Sequence, residues 1–177
     1  GDYSRWNLIY RVTEDEISDV PSNASSNLLS EEGKRLTSLI GGSLSRDTRD
    51  SVFEPTRGSA SSIGVDFAGV GFGDSKLVRA VASTAYFQPV WLDHILSGRV
   101  QGGYAFGWAE EPLPLFERFY LGGPNSIRSR KSRAISPTDQ SGTRIGGNSQ
   151  LLGNVEYLIP LPFGIRAALF YDVGNVY

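Results

Sequence analysis

The stretch "LSGRVQGGYAFGW", residues 96–108, constrains the fold more tightly than any other part of the chain. Leu96, Val100, Tyr104, Phe106 and Trp108 share one parity with Gly98 and Gly102, whereas Ser97, Arg99, Gln101, Gly103, Ala105 and Gly107 occupy the other. A period of two sends successive side chains to opposite faces of a strand, so one face is apolar and the other is polar or small. At about 3.3 Å per residue, these thirteen residues reach roughly 43 Å. That is long for a strand in a soluble domain and suits a tilted strand crossing a bilayer with a margin outside it.

Six further segments carry the same alternation. "SRWNLIYRV" sets Trp6, Leu8, Tyr10 and Val12 against Arg5, Asn7 and Arg11; "RLTSLIGGSLS" groups Leu36, Ile40 and Leu44; "SIGVDFAGV" sets Ile63, Val65 and Phe67 against Gly64, Asp66 and Ala68. "LVRAVASTAYFQPV" is the weakest, with apolar residues on both faces. "LLGNVEYLI" and "IRAALFYDVGNVY" set Val155, Tyr157 and Ile159, then Ile165, Ala167, Leu169 and Tyr171, against Asn154, Glu156, Arg166 and Asp172. Seven strands are predicted. If they alternate in direction, long connections at 13–34 and 109–148 fall on one side, and "WLDHI", "PLPFG" and the intermediate "RDTRDSVFEPTRG" fall on the other. Long loops on one side and short turns on the other characterise outer-membrane barrels, although a soluble sandwich also alternates.

Composition removes other classes. The chain has no cysteine, which excludes disulfides and thiolate metal sites, and its single histidine argues against a transition-metal site; no cofactor is expected. The net charge of -2 gives no reason to expect nucleic acid as a partner. No apolar run approaches the roughly 20 residues of a membrane-spanning helix. Methionine is absent even at position 1, which implies that Gly1 is a cut end and the chain a fragment. Neither of two tempting motifs carries chemistry. "GVGFGDSK" lacks phosphate-loop spacing and a following helix, so it reads as a hairpin turn. His94, beside Asp93, has no nucleophile elbow or oxyanion signature and reads as a surface histidine.

Four blocks occur in order and at suitable spacing: "RDSVFEPTRGS", "ERFYLGGPNSIRS", "RIGGNSQLLGNVEYLIPLP" and "LFYDVGNVY". Together they resemble the bacterial surface antigen barrel of the BamA family. The resemblance covers essentially the whole chain. It implies an all-β, antiparallel up-and-down transmembrane β-barrel, present here as an incomplete barrel of about seven strands with a long inward-folded loop. Residues 1–177 would form one partial barrel domain from the central-to-late strands of a sixteen-stranded parent, with the early strands, the last three strands and the periplasmic POTRA domains absent.

In that family a long loop tucks into the lumen and carries a VRGF-type motif whose arginine meets acids on the inner wall. By the resemblance the arginine is Arg128, in "SIRS", and the acids are Glu156, in "NVEYLIP", and Asp172, in "FYDVGN". Both acids also lie on the polar parity read from the alternation alone. Gly122 and Gly123 supply the backbone freedom for the inward turn. Ser129 and Arg130 stand where the family usually has glycine and an aromatic. Arg130, Lys131 and Arg133 read as a solvated basic loop, with lumen wall or lipopolysaccharide as the alternative. Asp50, Pro55 and Gly58 match a family block and also read simply as a turn stiffened by proline with glycine at its end.

The implied function is a non-enzymatic insertase in the cell outer membrane, which folds and inserts β-barrel proteins by offering an edge strand and thinning the bilayer. Implied partners are outer-membrane lipid and lipopolysaccharide, nascent outer-membrane β-barrel proteins and, in the full-length protein, periplasmic assembly lipoproteins. A related translocation or two-partner secretion pore is the alternative, and a passive barrel or soluble sandwich is the third class.

Overall fold

The computed structural model describes residues 3–19, 29, 32–109 and 111–177. Seven strands, β1 (Ser4–Ile17), β2 (Gly33–Asp47), β3 (Gly58–Ala68), β4 (Leu77–Pro89), β5 (Ile95–Gly107), β6 (Ser149–Pro160) and β7 (Arg166–Val176), form one sheet in sequence order. Every neighbouring pair is antiparallel. The sheet is an open segment of an up-and-down barrel with β1 and β7 at its edges, in agreement with the expected fold class.

Register fixes the two faces. One row runs Leu8, Gly42, Val65, Ala80, Tyr104, and another runs Leu96, Tyr157, Leu169. Trp6, Leu8, Leu44, Ile63, Val100, Tyr104, Val155, Leu169 and Tyr171 are all exposed on this outer face. In water such a surface would be costly; against lipid tails it is the expected one. The opposite face carries Asn154, Glu156 and Asp172 and also the packed core: Leu39, Ala68, Leu77, Ala105 and Leu152 point inward with Phe119, Leu121 and Ile127 from the β5–β6 loop. The mixed pattern of β4 follows from this. Leu77 and Val81 are apolar on the inner face because the loop covers them.

One boundary differs from the reading of the sequence. The β1–β2 hairpin continues past Val12, pairing Glu14 with Leu36 and Ile17 with Gly33, so strand occupies residues 13–17 and 33–34 at the two ends of the predicted 13–34 loop. Lys34 Nζ sits 3.1 Å from Glu14 Oε1 on this extension. Both faces are polar there, which removes the alternation by which a strand is recognised. Residues 20–28, 30 and 31 of that loop lie outside the described residues. The "GVGFGDSK" segment is the β3–β4 connection: Gly69, Gly71 and Gly73 have positive φ, and Asp74 is bound back to β2, its N–H donating to Leu36 O at 2.7 Å while its carboxylate accepts from Leu36 N at 2.9 Å.

The 177-residue chain on its own presents two unpaired strand edges and a broad, largely apolar face. It is expected to associate, aggregate or require detergent. Light scattering that found a monodisperse monomer without detergent would contradict the lipid-facing assignment.

Candidate functional site

The β5–β6 loop is apolar where a solvated loop would be polar. Leu113, Leu115, Phe119, Leu121 and Ile127 are all buried, and the inner wall is the surface that buries them. Isolated bridges pair Phe119 with Gly147 and Leu121 with Ile135, so the loop enters and leaves the lumen as a narrow ribbon. At its turn Gly122 and Gly123 adopt φ of +112° and +98°. A Cβ on Gly122 would lie 2.2 Å from the carbonyl oxygen of Lys131, so side-chain-free backbone is required there. Gly122 N donates to Ser126 Oγ at 2.8 Å, and Gly123 N donates to Arg130 O at 2.9 Å. This closed turn presents Arg128 to the wall.

Arg128 reaches both acids. Its backbone N–H and Nε donate to Asp172 Oδ2 at 3.0 and 2.9 Å, Nη2 donates to Asp172 Oδ1 at 2.6 Å, and Nη1 donates to Glu156 Oε1 at 2.5 Å. The Asp172 side chain is only 4% exposed, against 26% for Arg128 and 30% for Glu156. Hydrogen bonding to Asp172, and secondarily to Glu156, holds the guanidinium above its ordinary pKa, outweighing desolvation. The cation is fixed as a fork bridging two carboxylates.

Two wall residues complete the arrangement. Asn154 Nδ2 donates to Asp172 Oδ1 and to Ser126 O, both at 2.8 Å, and so clasps the acid and the loop together. The Arg128 guanidinium carbon stands 3.7 Å from the centroid of the Phe170 ring. Asn154 pairs with Asp172 and Glu156 with Phe170 across β6 and β7, so the four form a two-by-two block. Sequence reasoning missed Phe170 and the role of Asn154, although both share parity with the acids. Glu156 is seven residues beyond Ser149, placing the arginine roughly 23 Å along the strand from the mouth where the loop enters.

Ser129 keeps φ outside the left-handed region, so the departure from glycine imposes no backbone strain. Arg130 and Lys131 are exposed, and Arg133, also exposed, stacks its guanidinium 3.8 Å over Tyr120.

Asp50, Pro55 and Gly58 are not part of this cluster. They belong to the β2–β3 turn, where Asp50 Oδ1 accepts from the backbone N–H groups of Ser51, Thr56 and Arg57, and the Thr56 hydroxyl donates to Oδ2. These bonds, the Thr56 hydroxyl first, hold the Asp50 carboxyl well below its ordinary range. Gly58 has φ of +99°, and a Cβ there would meet Thr48 O at 2.3 Å. His94 is tied to structure: its Nδ1 lies 2.7 Å from the Tyr157 hydroxyl, which also accepts from Trp91 Nε1 at 2.8 Å.

The chain is 34% identical over its full length to the outer membrane protein assembly factor BamA of Nitratidesulfovibrio vulgaris, of which it spans 23%. It is 28% identical over 97% of its length to the sorting and assembly machinery component 50 homolog of Mus musculus, of which it spans 38%. The crystal structure of BamA from Haemophilus ducreyi lacking POTRA domains 1–3 superposes over the whole chain with a TM-score of 0.86 at 17% identity, the matched part being 39% of that molecule. The chain therefore spans roughly a quarter to two fifths of the relatives it matches. The model of the Omp85 superfamily domain matches residues 1–177, and with a barrel wall and an inward loop matching along its entire length, the chain belongs to the Omp85 superfamily.

Proposed function

We propose that the chain is part of the barrel of an outer-membrane protein assembly factor, which folds β-barrel proteins and inserts them into the outer membrane. The observation that carries this reading is similarity along the whole of this chain, at 34% identity, to 23% of a bacterial assembly factor. The sorting and assembly machinery component 50 homolog points the same way at 28%, which favours assembly over secretion. Residues 1–177 supply a middle-to-late segment of a larger barrel that also bears POTRA domains. No covalent step is involved. The substrates are nascent outer-membrane barrel proteins, which need a template edge and a locally perturbed bilayer, and the outer face of this wall meets outer-membrane lipid and lipopolysaccharide. Periplasmic assembly lipoproteins act with the full-length protein.

Within this machine, Arg128 with Glu156 and Asp172 locks the loop inside the lumen. Gly122 and Gly123 permit the turn that delivers it. A lumen filled from one mouth to deep in the wall is a rigid insert that holds the barrel's shape while its edge exchanges partners. The turn built on Asp50, Pro55 and Gly58 fixes the opposite rim. The test is reconstitution of the full-length protein in lipid vesicles with an unfolded outer-membrane barrel as substrate. Faster substrate folding than in protein-free vesicles is expected. Ion conductance without any acceleration of folding would favour a secretion pore instead.

A further inference from the structure

The inward loop meets the wall at a second place, near the mouth by which it enters. Arg79 stands on the inner face of β4, and its Nη1 lies 3.6 Å from Glu117 Oε2 at the start of the loop. The same guanidinium carbon is 5.0 Å from the centroid of the Phe119 ring. Phe119 is 2% exposed and sits over Gly103 of β5, where any Cβ would come within 2.8 Å of the ring. Val81, the β4 partner of Gly103, packs against the same cluster. Asp66 of β3 stands opposite Arg79 in register, over the space left by Gly41. Arg118 ties the two arms of the loop at this level, its Nε donating to Leu113 O at 3.0 Å and its Nη1 to Ile145 O at 3.2 Å.

The two contacts are far apart. Arg79 pairs in register with Ala105 of β5, and Glu156 with Ser97 of the same strand. Eight residues separate those positions, or roughly 26 Å along the wall. We propose that Arg79 and Glu117, with Phe119 seated over Gly103, form an anchor for the base of the loop that is independent of the Arg128 lock at its tip. Arg79 is then a positioning residue. Glu117 is desolvated, and burial pushes its carboxyl up while Arg79 is the foremost opposing influence, so removing Arg79 leaves a poorly hydrated carboxylate without its partner. The inference concerns how the loop is attached and goes beyond the assembly reading, on which it does not depend.

The loop carries its own reporters, because trypsin can cut after Arg118 at the base and after Arg128 at the tip. Cleavage of a transiently opened segment follows the population of the open form when closing is fast. Folded full-length protein is digested, each cut is quantified by mass spectrometry, and its rate is divided by the rate for the same bond in urea. Arg79→Gln is expected to raise cleavage after residue 118 roughly tenfold while leaving residue 128 at the wild-type rate. Glu117→Gln should do the same, and it carries the test if Arg79→Gln does not fold. Arg79→Lys keeps the charge and should stay within about threefold of wild type. Arg128→Lys should give the reverse pattern, opening the tip and not the base. Protection at residue 118 unchanged in both glutamine variants, or release of both bonds together, would overturn the proposal.

Discussion

Arg128→Ala should destabilise the full-length barrel by about 3 kcal/mol, the lower end of the range for breaking a buried ion pair. Asp172, 4% exposed, would lose both guanidinium hydrogen bonds, two of its four, and keep only those from the backbone N–H of residue 128 and from Asn154. Glu156, 30% exposed, can recover water, which is why the upper end is not reached. Arg128→Lys should recover part of the loss: it keeps a charge, but a single ammonium cannot bridge both acids as a fork or stack as a plane on Phe170. Adding Asp172→Asn to Arg128→Ala should be less harmful than additivity demands, because the double change removes the uncompensated charge. Arg130→Ala, at an exposed position, should stay within about 0.5 kcal/mol of wild type. Urea unfolding followed by loss of heat-modifiability on cold gels measures the stability, and an outer-membrane assembly assay measures the consequence. Wild-type behaviour of Arg128→Ala in both assays would sink the idea that this contact locks the loop.

Seven strands were legible because a membrane imposes a stronger pattern than a soluble core does. Lipid on one side and a wet lumen on the other force alternation in β5, where Val100, Tyr104 and Phe106 oppose Arg99 and Gln101. Where that constraint lapses, so does legibility. The pairing from Glu14 to Ile17 has no lipid to face and reads as loop, although the ladder continues. In β4 the alternation is blurred because the loop turns part of the inner face into a core, and Leu77 and Val81 then answer to Phe119 rather than to water. A local pattern cannot announce a partner more than thirty residues away.

The site divides in the same manner. The parity of Glu156 and Asp172 follows from alternation, whereas the choice of Arg128 among several nearby cations rested on resemblance. Nothing local separates Arg128 from Arg130, both within one turn of Gly123. The structure separates them by burial and by partners: the Arg128 guanidinium enters a block of four wall side chains, and Arg130 is exposed. Phe170 was readable in principle. An aromatic on the lumen parity, directly opposite Glu156, has no lipid to meet and must cover something.

The assignment of faces makes the second large prediction. Gly102 lies near the middle of β5 on the outer face, with Ala82 and Leu151 as its register partners, so a side chain there projects among apolar neighbours toward lipid. Gly102→Lys should cost about 2 to 4 kcal/mol at mid-membrane depth, where an ammonium has no water and its stem is too short to carry it to either rim without strain. Steric exclusion is not the reason: the nearest atom to a Cβ there is Gln150 O at 4.0 Å. Gly102→Leu, which adds comparable bulk without charge, should therefore be neutral or slightly stabilising, since it also replaces a glycine within a strand. Gln101, one residue away, faces the lumen and accepts a hydrogen bond from Arg99 Nη2 at 2.6 Å. Gln101→Lys loses that bond but sets its ammonium on the lumen side at a half-exposed position beside Ser83, so its cost should stay below about 1 kcal/mol. Refolding of the four full-length proteins into vesicles, with urea midpoints read by tryptophan fluorescence, gives the comparison directly. Equal tolerance of lysine at 101 and 102 would overturn the assignment of faces in β5, and with it the inward direction of every residue in the Arg128 block.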